Sequence, residues 1–227
     1  MNKSHVLNIV PTPIGNLEDI TLRSLDTLKN SDYILCEDTR VSKKLLNKYN
    51  IEVQLVSFHS FNEHKTVQKH INQILDGKAV SLISDAGTPS ISDPGFLIVR
   101  ESIKNNIEIN CLPGATALIP AIVNSGLSSE RFVFEGFLPT KKGRNKRIKN
   151  LVDEKRSIVI YESPKKILKL INDLIGFLGE DRKASISREL SKIYQENIRG
   201  TLKELYDKFK NKNVKGEFVI VIDGKKK

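Results

Sequence analysis

The sequence has few of the features that mark membrane or secreted proteins. It contains no apolar run of about 18 residues, which argues against a transmembrane helix. Its start has neither a long apolar stretch nor a small-residue cleavage site, so we expect no signal peptide. The two cysteines, Cys36 and Cys111, lie inside apolar, strand-like runs, and we expect reduced thiols in the core of a cytoplasmic protein.

Several common active-site signatures are also missing. The sequence has no G-x-G-x-x-G fingerprint, no P-loop and no G-x-S-x-G motif, so nucleotide binding through these turns and covalent catalysis are unsupported. His59, His64 and His70 do not share one helical face, and the cysteines have no close Cys or His partners. We therefore expect no zinc or other metal site.

Charge is present in excess and is unevenly placed. The chain has 37 basic and 27 acidic residues, a formal net charge of +10. Residues 1–113 hold 12 basic and 13 acidic residues, whereas residues 114–227 hold 25 and 14. A lysine-biased genome is one explanation, but bias alone would spread over both halves. The split favours a second half that faces a polyanion.

The hydrophobic pattern predicts two α/β domains. In the first, strand-like runs alternate with helical patterns, which predicts parallel βαβ units covered on both faces. Its predicted strands are residues 6–10, 33–36, 54–58, 79–84 and 107–112, with helices at 21–28, 42–49, 67–75, 96–103 and 115–123. The second has strands at 131–138, 157–161, 183–189, 193–198 and 218–222, and helices at 146–152, 164–178 and 202–209. We predict an N-terminal parallel-sheet domain, residues 1–125, and a C-terminal mixed-sheet α/β domain, residues 126–227.

Four loops that follow predicted strands carry unusual residues, many of them proline and glycine. They span residues 11–17, 37–40, 85–95 and 113–117. Ligands of open α/β sheets bind at the carboxyl ends of the strands, where glycine permits close approach and proline fixes the path of the chain. We therefore predict a ligand site at this edge of the sheet. The alternative is that glycine and proline only mark turns.

Seven motifs carry a family resemblance. In chain order they are PTPIGNLEDIT, CEDTR, LISDAGTPSISDPG, PGATA, FEGFLP, YESP and ELSKIYQE. They resemble the ribosomal RNA small subunit methyltransferase I family, which belongs to the tetrapyrrole-methylase (class III) superfamily of S-adenosylmethionine enzymes. The resemblance runs from Val6 to Ile222. It implies a two-domain tetrapyrrole-methylase-like fold with S-adenosyl-L-methionine between the domains, usually in a homodimer. It also implies 2′-O-methylation of a cytidine in the decoding region of 16S ribosomal RNA in the small ribosomal subunit. We expect no membrane partner, because the sequence has no long apolar run.

The resemblance also implies a set of cofactor contacts. Asp85 is expected to accept hydrogen bonds from the cofactor's ammonium or ribose hydroxyls, and Phe137 and Leu138 to close over the adenine. The full set is Ile14, Gly15, Asp85, Ala86, Gly87, Ile91, Ser92, Asp93, Thr116, Ala117, Phe137 and Leu138. For Asp93 the alternative is a turn carboxylate that caps the helix following Gly95.

Methyl transfer to a ribose hydroxyl benefits from a general base or an oriented hydrogen bond, because the hydroxyl is a poor nucleophile near neutral pH. Glu37, Asp38 and Arg40 are three charged groups in four positions at the end of a predicted strand. We predict that Arg40 binds a phosphate and that a carboxylate orients or deprotonates the hydroxyl. Alternatively, these residues cap the following helix and pair with each other. Glu162 is a second candidate base.

RNA contact requires positive charge along the phosphate path. Residues 139–150 hold six basic residues and no acidic ones. The predicted RNA contacts are Lys141, Lys142, Arg144, Lys146, Arg147, Lys165, Lys166 and Arg188. The family commonly has His-Arg after YESP, where this sequence has Lys165 and Lys166. Two lysines keep the charge but lose the imidazole and the bidentate fork, so the role of that histidine is not carried over.

Two other functions stay open on the sequence alone. One is a methylase of the same superfamily that acts on a corrinoid or other tetrapyrrole precursor; the PTPIGN and EDTR motifs count against it. The other is a non-catalytic RNA-binding assembly factor. A protein that binds no cofactor would not need the glycine and proline of the loops at residues 11–17, 85–95 and 113–117, which counts against this second alternative.

Overall fold

A computed structural model describes residues 5–212 and 214–226 of the chain. It divides into two compact units, Met1–Thr116 and Ala117–Lys227. Within the described residues, no helix combines the length and apolar character needed to cross a membrane.

The first unit contains a five-stranded sheet in the order β3-β2-β4-β1-β5, with every pairing parallel. Its strands are β1 (Val6–Ile9), β2 (Tyr33–Cys36), β3 (Gln54–Ser57), β4 (Val80–Leu82) and β5 (Glu108–Cys111). The helices are α1 (Leu22–Lys29), α2 (Thr39–Lys48), α3 (Glu63–Leu75) and α4 (Phe96–Lys104), with a 3-10 helix at Leu17–Asp19. This arrangement confirms the predicted parallel α/β class.

The central strands of this sheet are buried on both faces, as β2 illustrates. Tyr33 and Leu35 join a core cluster that includes residues of α3 and α4. Ile34 and Cys36 point the other way, into a cluster that includes Leu28 of α1 and residues of α2. Because alternate side chains of a strand face opposite ways, a run of apolar residues such as β2 is stable only between two layers of helices.

The second unit contains a mixed five-stranded sheet in the order β6-β7-β10-β8-β9. Strands β6 and β7 pair in parallel, and the other pairings are antiparallel. The strands are β6 (Phe132–Phe137), β7 (Ser157–Glu162), β8 (Lys183–Arg188), β9 (Glu196–Thr201) and β10 (Phe218–Ile222). The helices are α5 (Leu118–Ser125), α6 (Arg144–Lys149), α7 (Ile167–Leu178) and α8 (Leu202–Phe209). The mixed sheet also agrees with the predicted fold class.

Besides shifts in the ends of several elements, the unit boundary and the exposure of one cysteine differ from the predictions. Helix α5 belongs to the second unit, because it packs on β8, β9 and β10. The composition-based boundary lies at the far end of this helix. The expectation that Cys111 is a core thiol is wrong: Cys111 is exposed, because β5 is the edge strand of its sheet, whereas Cys36 is buried as expected.

Candidate active site

The carboxyl ends of the parallel strands bring the four unusual loops of the first unit to one edge of the sheet. The loops after β1 and β4 are joined by an isolated antiparallel bridge between Thr12 and Gly87. Each residue's backbone N–H donates to the other's carbonyl oxygen at 2.9 Å. The Thr12 hydroxyl also donates to the Ser84 carbonyl oxygen at 2.9 Å. Gly87 has a φ of +84°, a conformation that glycine adopts without strain.

The loop after β5 is tied to the same group. The Thr88 hydroxyl donates to the Ala115 carbonyl oxygen at 3.2 Å. Gly114 lies so close to Pro11 that a Cβ on the glycine would come within 2.6 Å of the proline Cβ. A larger residue at position 114 would therefore push the first and last loops apart. These contacts make the loops after β1, β4 and β5 one connected structure.

The predicted cofactor residues of the first unit lie on these loops. Ile14 and Asp85 are half-buried, Gly15 and Ala86 are exposed, and Gly87 is buried. Further along, Ser90 and Ser92 adopt left-handed backbone conformations with φ of 71° and 67°. The Ser90 N–H donates to the Pro94 carbonyl oxygen at 3.2 Å, so the segment folds back on itself. The remaining predicted residues of the unit are Ile91 and Ser92, both exposed, and Asp93 and Thr116, both half-buried.

The loop after β2 meets the loop after β4 through a carboxylate. The Asp38 backbone N–H donates to Asp85 Oδ1 at 3.1 Å. Burial and the nearby charge of Asp38 raise the pKa of Asp85, while the hydrogen bond from Asp38 opposes the rise. Burial and the charge of Asp85 also raise the pKa of Glu37, and His59 acts in the opposite direction. The structure thus brings a predicted cofactor residue into contact with the predicted catalytic segment.

Asp38 and Arg40 form the pair that the sequence analysis raised as an alternative. Asp38 is the N-cap of α2, and its Oδ1 accepts a hydrogen bond from the Arg40 backbone N–H at 2.8 Å. The Arg40 guanidinium donates to both carboxylate oxygens, with Nη2 at 2.6 Å from Oδ2. These hydrogen bonds lower the pKa of Asp38 to about 2. Asp38 is therefore a cap and an ion-pair partner, whereas Glu37 is the carboxyl group of the segment with a raised pKa.

In the second unit, Ala117 precedes α5, and Phe137 and Leu138 differ sharply in exposure. Phe137 is 58% exposed, and its ring meets Tyr161 edge-on with the centroids 5.7 Å apart. Leu138 is 4% exposed and belongs to the core cluster of the unit. The expectation that its side chain covers an adenine is corrected accordingly, because that side chain is occupied in packing.

The basic segment, residues 139–150, also contains both exposed and buried side chains. Lys141, Lys142, Lys146 and Arg147 are exposed. Arg147 donates to the Glu135 carboxylate. The exposed lysines stay candidates for phosphate contact.

Arg144 corrects the prediction of an RNA contact. Its side chain is 5% exposed, and its Nε donates to Asp173 Oδ2 at 2.8 Å. Its Nη1 donates to the Pro139 carbonyl oxygen at 3.3 Å and lies 3.7 Å from Glu162 Oε2. Arg144 therefore holds the start of α6 against β7 and α7 and is not available to a phosphate. Glu162 is equally enclosed, with its side chain 4% exposed.

The remaining predicted RNA contacts flank other strands of the second sheet. Lys165 is exposed, and Lys166 is half-buried as the N-cap of α7. Arg188 is 25% exposed and donates from Nε to the Lys215 carbonyl oxygen at 2.6 Å. Its neighbouring loop is held by Lys192, whose Nζ contacts Glu189 at 2.9 Å and Glu217 at 3.0 Å.

The residues that hold the loops together were not among the predicted site residues. The Thr12 and Thr88 hydroxyls supply hydrogen bonds between neighbouring segments, and the Ser84 hydroxyl donates to the Gly87 carbonyl oxygen within its own segment. The available signal was a small hydroxyl residue inside a Pro/Gly-rich loop, as for Thr12 and Thr88, or directly before one, as for Ser84. In the described ranges, no group of three or more His, Cys, Asp or Glu side chains is placed to hold a metal ion.

Comparison with known proteins gives consistent matches. The profile of the Tetrapyrrole (Corrin/Porphyrin) Methylases matches residues 6–206. The chain is 45% identical over 219 residues to Ribosomal RNA small subunit methyltransferase I of Thermotoga maritima, covering 96% of this chain and 98% of that protein. It is 42% identical over 220 residues to the protein of the same name from Bacillus subtilis, covering 96% and 75%.

Solved structures agree on the fold. A cobalt precorrin-4 methyltransferase superposes with a TM-score of 0.71 at 18% identity, covering 98% of this chain and 97% of the other. A diphthine synthase superposes with a TM-score of 0.72 at 14% identity, covering 97% and 90%.

Proposed function

The chain belongs to the ribosomal RNA small subunit methyltransferase I family of the tetrapyrrole methylases, and from this membership we propose that it methylates the 2′-oxygen of a cytidine ribose in the decoding region of 16S ribosomal RNA. The chain is an S-adenosyl-L-methionine-dependent methyltransferase. The structural observation that supports the proposal is the 3.1 Å hydrogen bond from the Asp38 backbone N–H to Asp85 Oδ1. It joins the connected loops to the acidic segment, residues 37–40.

The loops fit the cofactor by their chemistry. Gly15, Ala86 and Gly87 carry no side chain larger than a methyl group, so a ligand can approach their backbone closely. Asp85 supplies a carboxylate for an ammonium or for hydroxyls. When bound, the cofactor supplies an electrophilic methyl group on a sulfonium. The protein's contribution is to orient the acceptor oxygen and to manage its proton.

We propose Glu37 as the group that accepts or orients the ribose proton. A general base works best when its pKa lies near the working pH, and burial together with Asp85 raises the pKa of Glu37. Asp38 is a weaker base because Arg40 keeps its pKa near 2. Arg40, 87% exposed, keeps donors free of Asp38 for a backbone phosphate.

The second unit supplies the contact with RNA in this proposal. Lys141, Lys142, Lys146 and Arg147, with Lys165 and Lys166, attract the phosphate path, and Phe137 packs on the adenine of the cofactor. We further propose that the chain acts on the small ribosomal subunit as a homodimer in the cytoplasm.

The decisive experiment incubates the protein with methyl-labelled cofactor and small subunits from a strain that lacks the modification. We expect label in RNA, recovered as 2′-O-methylcytidine after digestion to nucleosides. Label in an added tetrapyrrole precursor but not in RNA would favour the small-molecule methylase. Calorimetric titration separates an enzyme from a scaffold, because a non-catalytic assembly factor would give no heat with millimolar cofactor.

A further inference from the structure

A surface groove lies between α2 and β3, next to the acidic segment but outside the cofactor loops. It has a volume of roughly 510 Å³, within the range of sites that hold small ligands or a nucleotide unit. Its lining begins at Thr39 and Arg40, directly after Glu37 and Asp38. The lining residues are Thr39, Arg40, Lys43, Leu46, Asn47, Ile51, Glu52, Val53 and Leu55.

The groove has two kinds of lining. Leu46, Ile51, Val53 and Leu55 are apolar; Leu46 and Ile51 are almost completely buried beneath the groove, and the half-buried Val53 and Leu55 provide its accessible apolar surface. Arg40, Lys43 and Asn47 are exposed side chains of α2. A nucleotide has matching parts: a base with apolar faces and polar edges, and an anionic phosphate.

The charge of α2 adds an independent argument. Arg40, Lys43, Lys44 and Lys48 are all exposed, and no acidic residue occurs between Thr39 and Ile51. Residues 1–113 as a whole are almost neutral, with 12 basic and 13 acidic residues. The positive charge on α2 is therefore a local concentration, on a helix that begins at the candidate catalytic segment.

We propose that this groove binds a nucleotide of the RNA strand that flanks the methylated ribose, with its base against the apolar wall and its phosphate on Lys43 and Arg40. The inference rests on the proposed function. It assigns RNA contact to the first unit as well as to the basic second unit. Asn47 and Glu52 supply a donor and acceptors for base edges or ribose hydroxyls.

Two substitutions test the groove by different routes. Lys43→Ser removes one phosphate partner, so we expect the slope of log K against log salt for binding to fluorescent small-subunit RNA to shrink by about 0.7–0.9. Asn47→Trp fills the groove without removing charge, so we expect weaker RNA binding with an unchanged salt slope. In methylation assays on unmodified small subunits, both variants should raise KM severalfold more than they lower kcat.

The matched control is Lys65→Ser combined with Lys69→Ser. Both lysines are exposed on α3, which packs on the opposite face of the sheet from α2. If Lys43→Ser and Asn47→Trp behave like this control while the unmodified protein methylates RNA, the groove inference is wrong and the proposed function stands. If the unmodified protein binds the cofactor but transfers no methyl group to RNA, the proposed function fails first.

Discussion

The acidic segment of the first unit and the basic segment of the second each contain an arginine that pairs with an aspartate, but the two pairs differ in burial. Arg40 Nη2 lies 2.6 Å from Asp38 Oδ2, and the Arg40 side chain is 87% exposed. Arg144 Nε lies 2.8 Å from Asp173 Oδ2, and the Arg144 side chain is 5% exposed. An exposed pair is screened by water and contributes little to stability, whereas breaking a buried pair leaves a charge without a partner. Similar pairs thus leave Arg40 open to a ligand and commit Arg144 to the fold.

The carboxylates near the two arginines also differ in their ion pairing and burial. In the first unit, Asp38 takes the arginine, and Glu37 keeps a raised pKa beside Asp85. In the second, Glu162 is enclosed with Arg144. This difference makes Glu37 the better candidate for proton transfer. It also predicts where substitutions will damage catalysis and where they will damage folding.

The largest effect is expected at Glu37. Glu37→Gln should lower kcat/KM by about 10²–10⁴-fold, because an amide cannot accept the proton. Burial and Asp85 raise the pKa of Glu37, so methyl transfer by the unmodified protein should fall as pH drops through a value above that of an ordinary glutamate. A pH–rate profile measures this limb, with cofactor affinity as the control. Nearly full activity of Glu37→Gln would remove Glu37 from the mechanism.

The next effect concerns stability and separates the two arginines. Arg144→Met should lower the free energy of unfolding by about 3–5 kcal/mol, because Glu162 and Asp173 lose their buried partner. Arg40→Met should leave the urea midpoint close to that of the unmodified protein. Arg144→Lys, which keeps a charge, serves as the milder variant if Arg144→Met does not fold. Equal midpoints for the Met variants would abolish the contrast.

A smaller effect is expected for the exposed lysines of the basic segment. Lys141→Ser combined with Lys142→Ser should reduce the salt slope of RNA binding by about 1.5, because two phosphate contacts are lost. Cofactor affinity, measured by calorimetry, should not change. An unchanged slope would return these lysines to the solvated surface that a lysine-biased genome would produce.

Elements with strong periodicity were predictable from the sequence. The predicted spans of β2, β10 and α8 match the observed ones, because continuous apolar runs and a Thr201–Glu204 capping box leave little ambiguity. Helix α3 begins at Glu63, four residues before the predicted start, because its first turn is polar. The exposure of a strand residue depends on whether its strand lies at the edge of the sheet, and local sequence does not determine the order of the strands. The exposure of Cys111 was missed for this reason.

The candidate site also has features that the sequence predicts and features that it does not. Loop identity was predictable, because glycine and proline mark backbone that must turn or approach closely. Helical spacing in the sequence indicates the burial of Arg144. Arg144 and Ile148 lie at i and i+4, a spacing that places them on one face of α6, and both are buried. Contacts between loops, such as Thr12 with Gly87, depend on tertiary structure and were not predictable from local sequence.

The unequal exposure of the two cysteines gives the chain a ready-made labelling site. Burial raises the pKa of the Cys36 thiol, so it is protected from electrophiles both by packing and by protonation. Cys111 is exposed on edge strand β5. A maleimide fluorophore would therefore attach at Cys111 alone in the folded protein, without an engineered cysteine. Reaction at Cys36 would then serve as a reporter of unfolding in the first unit.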